Sequence, residues 1–505
     1  MNPVQKLFSC FSDSNTLKFP KNFLWGTATA AFQIEGHPDE YAQKLSDWAQ
    51  WLDKPEKVLP SNGNGDAVKH IEHLEEDLAL IHDLGAGAYR FSFNWATIHR
   101  GQDEFHEETL LFYKNLIEGL KAKEDSSKKP IRIFATLIHF VLPSWLADQG
   151  GWQNPNTACE FNNYTNVLLD LFGEDIEDWI TINEPNIFLG FGYESGIWPP
   201  GKTKDWTGYL RAYQGLLTGH ELAYKSIKAF NPNYRVGFSQ NMYFFQSLQE
   251  AVVEALNQDK SSDQASDNQS SSAVEAGASD SEKPGESQEK LVRRSDLDKI
   301  PTVIRNQLHN WSFIESCLEI DCLDFLGVNY YTRFIYKFST IARDPANPDL
   351  LSDLWGNLEK APADYVDAFT KTKPKYNSLG WEIFPEGLYR VLASHKFKQL
   401  IGDLPVYITE NGYSHIEKED KLDLEDDYRV DFIKSHLQAL HKCMNEGLNL
   451  QGYFYWSLID NFEWALGMDP RFGLIHVDQK TYKRTPKKSY YYYSELIKQN
   501  AVKLG

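Results

Sequence analysis

Two glutamates stand out by type and setting. Glu184 lies in Trp179-Ile180-Thr181-Ile182-Asn183-Glu184-Pro185-Asn186, and Glu410 in Val406-Tyr407-Ile408-Thr409-Glu410-Asn411-Gly412-Tyr413. Each ionisable side chain follows an apolar run and precedes a turn-forming Pro or Gly. A lone glutamate in that setting is more often a solvated or capping residue. A pair has a further use. One carboxyl protonates a leaving oxygen while the other attacks the neighbouring carbon or activates water, which is the chemistry that cleaves a glycosidic bond.

Residues so far apart in sequence act together only if the fold gathers them. Eight short apolar runs recur along the chain: Phe23–Glu35, Ala88–Trp95, Ile131–Phe140, Asp178–Glu184, Arg235–Tyr243, Asp324–Thr332, Pro405–Glu410 and Leu450–Asp460. Most are continuous rather than alternating, as strands covered on both faces are. Amphipathic stretches separate them. Ala67–Leu84 spaces Ile71, Leu74, Leu78 and Ile81 by three and four residues, and Tyr428–Asn445 does so with Phe432, Leu437, Leu440 and Met444, so both read as helices. Eight such units predict an α/β fold, a single (β/α)8 barrel with long βα loops. A doubly wound open sheet also alternates, but no Gly-rich phosphate loop follows the first run. Nearly every run ends in polar, reactive types: Gln33 and Glu35, Asn94, His139, Asn183 and Glu184, Asn241, Asn329 with Tyr331, Glu410, and Trp456. In a parallel barrel those ends share one face, where active sites sit.

The segments resemble glycoside hydrolase family one, the β-glucosidase family. The motifs run in order: Phe23-Leu24-Trp25-Gly26-Thr27-Ala28-Thr29-Ala30, Gln33-Ile34-Glu35-Gly36, Arg90-Phe91-Ser92, Asn183-Glu184-Pro185, Asn329-Tyr330-Tyr331-Thr332, Thr409-Glu410-Asn411-Gly412 and Asn461-Phe462-Glu463-Trp464. Single tripeptides are weak signals, whereas the ordered set is specific and reaches from about Phe19 to Tyr493. The resemblance implies a catalytic barrel over residues 19–500 after an N-terminal extension, 1–18. It implies a retaining β-glycosidase in which Glu184 is general acid and then base, and Glu410 is the nucleophile that forms a covalent glycosyl-enzyme. Retention by such a pair requires carboxyls about 5–5.5 Å apart. Arg90 and Tyr331 would favour ionised Glu410, by charge and by hydrogen bond. Gln33, His139, Asn183, Trp456, Glu463 and Trp464 would contact the glycone.

The implied substrate is a small-molecule β-glycoside or oligosaccharide cleaved at its terminal non-reducing β-D-glucoside, with galactosides and fucosides left open. Glu463 and Trp464 stand where relatives that cleave 6-phosphoglycosides carry small and basic residues, so the expected sugar is unphosphorylated. Two departures bear on the glycone. Phe140 and Val141 follow His139 where the family has Trp and Asp, and Ala96-Thr97 replace Pro-Arg. A transglycosylase using the same two glutamates, and a silent glycoside-binding or scaffold protein, are the alternative readings.

Composition narrows the partners. Net charge is −20, from 51 basic and 71 acidic residues, which repels nucleic acid and anionic lipid. Five scattered cysteines without a CxxC pair favour neither a disulfide framework nor a zinc site, and no HExxH spacing occurs, so no cofactor and no metal are expected. No signal peptide is recognised and no run approaches the ~20 apolar residues of a membrane span, so membrane insertion is not expected and the chain reads as cytoplasmic. Residues 258–290 carry eight acidic and three basic side chains with almost no large apolar residue. Such a stretch cannot bury enough surface to order itself and reads as a disordered acidic insertion. The oligomeric state has no signature in the sequence.

Overall fold

The computed structural model describes residues 16–36, 44–54, 66–121, 130–247, 250–251, 299–338, 358–360, 375–417 and 422–504. Residues 1–15 and the whole of 258–290 lie outside them.

Each of the eight apolar runs contains one strand of a closed parallel barrel: β1 Leu24–Ala28, β2 Ala88–Ser92, β3 Arg132–Ile138, β4 Asp178–Asn183, β5 Arg235–Asn241, β6 Phe325–Asn329, β7 Val406–Asn411 and β8 Leu450–Trp456. β8 pairs with β1 and so closes the ring. A helix follows every strand: α1 Leu74–Leu84, α2 Glu107–Lys121, α3 Pro155–Phe172, α4 Trp206–Phe230, α5 Ser312–Glu319, α6 Pro385–Leu392, α7 Asp427–Asn445 and α8 Lys488–Gln499. This is the (β/α)8 barrel. Among the described residues no helix is long and apolar enough to cross a membrane.

The strands are buried on both faces, which is why their sequences read as unbroken apolar runs. Phe134, Phe325, Tyr407 and Phe454 fill the inside of the barrel, with ring centroids 4.8 to 5.9 Å apart. A Cβ on Gly26 would lie 2.5 Å from the Phe454 ring, so β1 needs a glycine there. The larger core lies between barrel and helices. Val430, Phe432, Ile433, Leu437 and Leu440 of α7 are buried in the pattern its spacing predicts.

Two boundaries differ most from the sequence reading. The first run, Phe23–Glu35, is a strand only to Ala28. There Thr29 donates its N–H to the Arg90 carbonyl, and Ser92 Oγ accepts the Ala31 N–H, opening a helical turn over Ala31–Ile34 that carries Gln33. The helix expected over Ala67–Leu84 begins at Leu74. Ala67 and Lys69 adopt φ of 42° and 54°, and the N–H groups of Val68, His70 and Ile71 bond to the Ile34 and Glu35 carbonyls instead. Those residues fasten the loop after β1.

A buried ion cluster locks the two ends of this helix ring together. Arg484, just before α8, donates from Nε and Nη2 to the two oxygens of Asp77 on α1, at 2.9 and 3.0 Å, and His70 Nδ1 lies 2.7 Å from the same carboxylate. Burial alone would raise the Asp77 carboxyl, but the His70 and Arg484 hydrogen bonds hold it below its ordinary range. Removing one partner of a buried pair costs about 3–5 kcal/mol, whereas apolar replacement of both is often near neutral. Arg484→Met is therefore expected to lower the thermal midpoint strongly, and Arg484→Met with Asp77→Leu to recover part of that loss, as followed by circular dichroism.

Candidate active site

The barrel brings the ends of β2, β3, β4, β6 and β7 around one centre. Arg90, 1% exposed, projects from β2 and is saturated with acceptors. Its Nε donates to Thr136 Oγ1 at 3.1 Å, Nη1 to the Thr409 carbonyl at 3.1 Å and to Glu410 Oε1 at 2.6 Å, and Nη2 to Asn183 Oδ1 at 2.7 Å. Tyr331 donates to the other Glu410 oxygen at 2.7 Å. The ladder register shifts at the ends of β4, β6 and β7, next to Asn183, Asn329 and Glu410. Such irregularities re-aim side chains near functional centres.

Glu184 follows β4 in the left-handed region, φ 47° and ψ 60°. A non-glycine residue held there is strained. Its N–H bonds to the Ser239 carbonyl at 2.7 Å, and its carbonyl accepts from Ile187 and Phe188 at the start of the turn opened by Pro185. The carboxyl is thus fixed from both sides. Its Oε1 accepts from Asn241 Nδ2 at 2.9 Å and from Asn329 Nδ2 at 2.7 Å.

Asn329 joins the two glutamates. Its Nδ2 also reaches Asn183 Oδ1 at 3.1 Å, and its Oδ1 accepts from Thr409 Oγ1 at 2.6 Å. One hydrogen-bonded chain therefore runs from Glu410 through Arg90, Asn183 and Asn329 to Glu184. Because Arg90 only donates, the Asn183 oxygen must face it, and the Asn183 amide N–H then points at His139 Nε2, 3.0 Å away. His139 accepts there, so its proton sits on Nδ1, a buried atom with no partner among the described residues. Burial and the Arg90 charge push His139 well down, so the ring is neutral.

The carboxyls are electrostatically unequal. Burial, then the Glu410 charge, pushes Glu184 up to about 8 against the pull of Asn241, Asn329 and Arg90. Burial also raises Glu410, and Arg90 and Tyr331 oppose the rise. Glu463, in the loop after β8, is raised to about 8 by burial and by both other glutamates.

The remaining residues singled out in the sequence line the same region. Gln33 donates from Nε2 to the Phe462 carbonyl at 2.7 Å and to Asn461 Oδ1 at 3.2 Å. Its Oε1, like Glu463 Oε2, is buried and unpartnered among the described residues. The His139 ring lies within 19° of parallel to Trp456 and within 12° of Trp464, at 5.7 and 6.0 Å. Trp464, at φ 52°, packs on Trp48, Phe140 and Trp198 at 4.8, 5.2 and 5.6 Å. Phe140, at φ 70°, therefore builds an apolar wall. Buried polar atoms are nearly always satisfied. Three orphaned ones, an N–H on His139 and oxygens on Gln33 and Glu463, suit a ligand dense in hydroxyls, which both donate and accept. Among the described residues no group of three His, Cys, Asp or Glu side chains is placed to hold a metal.

Sequence reading singled out both glutamates, Arg90 and Tyr331. It passed over the part of Asn329 in joining them, although Asn329 stands in a quoted motif, and noted Asn241 only as a polar strand end. Arg90→Lys tests the network. An ammonium keeps the charge but cannot serve four acceptors in a plane. It is expected to cost about 2–4 kcal/mol, seen as a lowered thermal midpoint; an unchanged midpoint would show that the guanidinium geometry is dispensable.

Comparison with known proteins matches this arrangement to a family. Residues 15–502 match the family described as glycosyl hydrolase family 1. Beta-glucosidase A of Thermotoga maritima is 32% identical over 492 residues, covering 97% of this chain and 99% of that protein. The solved family 1 β-glucosidase of Thermotoga maritima superposes with a TM-score of 0.75 at 30% identity, covering 96% of this chain and 99% of that one. A structure of the Thermotoga maritima β-glucosidase in complex with glucoimidazole gives 0.75 at 29% identity, again covering 96% and 99%. The chain is a glycosidase and belongs to glycosyl hydrolase family 1.

Proposed function

We propose that this enzyme is a retaining β-glycosidase for unphosphorylated β-D-glucosides, with Glu410 as nucleophile and Glu184 as acid and then base. The observation that carries the reading is the single hydrogen-bonded chain that joins the two carboxyls yet treats them unequally. Glu410 receives a guanidinium and a phenol, donors that favour a carboxylate. Glu184 receives two neutral amides, both on Oε1, and burial keeps it protonated at neutral pH. Its proton then belongs on Oε2, the oxygen those amides leave open.

In the first step Glu410 attacks the anomeric carbon, the bond to the leaving oxygen breaks, and Glu184 gives that oxygen its proton. Esterified Glu410 has lost its charge, so the repulsion that raised Glu184 falls and Glu184 can take a proton from water. Water then attacks the anomeric carbon and frees Glu410. His139, Gln33 and Glu463 meet the glycone hydroxyls, Asn183 the 2-hydroxyl, and Trp456 and Trp464 the ring and its outer edge. Thermotoga maritima β-glucosidase in complex with glucoimidazole supports a glucose-sized glycone. Glu410 pushes Glu184 upward, and both push Glu463 upward, so a phosphate dianion brought among these carboxyls would meet the same repulsion.

Three outcomes test this. With Glu184→Gln, aryl glucosides bearing poor leaving groups should lose about 10²–10⁴-fold in kcat/KM, and activated ones far less. The kcat/KM profile should fall as pH rises through about 8, where Glu184 loses its proton, and again as pH falls through the raised Glu410 value, above 4.5. Proton NMR of early product should show the β-anomer. A first-formed α-anomer, or faster hydrolysis of a 6-phosphoglucoside than of the plain glucoside, would overturn the assignment.

A further inference from the structure

The approach to α5 contains a feature with no obvious packing purpose. The helix Lys299–Arg305 widens into a π-helical turn, Asn306–Trp311, before α5 begins. Single π turns are costly and are found mostly where they place a residue for function. This turn is clamped to the end of β5 and the residues after it. The Asn310 side chain donates to the Tyr243 carbonyl at 2.8 Å and accepts the Tyr243 N–H at 3.2 Å. Asn186 Nδ2 bridges the carbonyls of Asn241 and His309 at 2.9 and 3.1 Å, and Gln240 also donates to the His309 carbonyl.

These contacts hold the His309 ring against Asn241. The ring stacks on Tyr243, with centroids 4.7 Å apart and planes 22° from parallel, and meets Phe245 edge-on at 5.5 Å. Its Nε2 lies 3.4 Å from Asn241 Oδ1, on the far side of the amide that donates to Glu184. In this orientation the amide nitrogen faces Glu184 and Oδ1 faces the ring, where it accepts from a proton on His309 Nε2.

We propose that His309 is a positioning residue that locks the Asn241 side chain with its N–H toward Glu184. Resting on the acid/base reading of Glu184, this gives the enzyme a device for holding one carboxyl ready for both of its tasks. An amide is ambivalent. Turned over, it offers its oxygen to protonated Glu184 and favours the acid form only. Locked, it donates to Glu184 in either form and favours the carboxylate that the second step needs. The lock must not change with pH, and the ring meets that condition, because burial and then the Arg305 charge push His309 down to about 3. The ionisable groups that bear on Glu184 itself are Glu410, Arg90, Tyr331 and Glu463.

His309→Phe keeps the stack on Tyr243 and removes the donor, and His309→Gln restores one. In full-length enzyme with aryl β-glucosides, His309→Phe should move the alkaline limb of kcat/KM up by about 0.5–1 pH unit, the weight of one neutral hydrogen bond to a carboxyl. It should lower kcat for activated substrates, which wait on the second step, more than it lowers kcat/KM. His309→Gln should return both toward wild type. A limb that stays in place in His309→Phe, or a His309→Gln no closer to wild type than His309→Phe, overturns the proposal. Glu184→Gln separates the two readings. If it abolishes the alkaline limb while His309→Phe leaves the wild-type limb unmoved, only the His309 proposal falls. If Glu184→Gln retains the limb, the role of Glu184 falls and takes this proposal with it.

Discussion

The centre of this protein depends on one buried guanidinium. Arg90 has donors only and is buried. Every group around it must therefore present an oxygen, and the surrounding fold is arranged to do so: a hydroxyl from β3, a carbonyl and a carboxylate from β7, and an amide oxygen following from the end of β4. Each acceptor is committed in turn. The Asn183 amide can face only one way, which sets the proton on His139, and Asn329 is held between Thr409 and both partners of the chain. Orientation spreads outward from a residue that cannot change its mind.

Three strained backbone positions lie in the same place. Phe140, Glu184 and Trp464 all lie at positive φ without being glycine. Each conformation costs energy that ordinary loops avoid, and each is held by its surroundings: the bond to Ser239 and Pro185 for Glu184, Trp198 and Trp464 for Phe140, and Trp48, Phe140 and Trp198 for Trp464. Glycine serves the converse purpose. A Cβ on Gly412 would sit 1.8 Å from the Trp456 carbonyl, so the turn after Glu410 approaches the end of β8 only because that position is bare.

The strands were legible because burial on both faces writes itself into composition, and the eight polar run ends were legible because a parallel barrel collects them. The boundaries at Ala28 and Leu74 were not. They are set by long-range hydrogen bonds, the Ala31 N–H to Ser92 Oγ and the Val68 and His70 N–H groups to the Ile34 carbonyl, that leave no periodicity behind. The same limit hid His309. Its neighbours along the chain say nothing of Asn241, which is brought to it by β5 and a π-helical turn, whereas Glu184 and Glu410 announced themselves by standing at the ends of apolar runs. Asn329 fell between these cases, conspicuous as a motif residue but not as a bridge.

The short strand Thr16–Lys18 pairs antiparallel with Ala501–Lys503, and Asn500 adds bonds to Phe19, Pro20 and Trp25. Both lie at the end of the barrel where strands begin, away from the glutamates. The first and last described strands thus form a common seam at the end opposite the glutamates. Anything that grips that seam holds the barrel by its far end and leaves the catalytic face unobstructed.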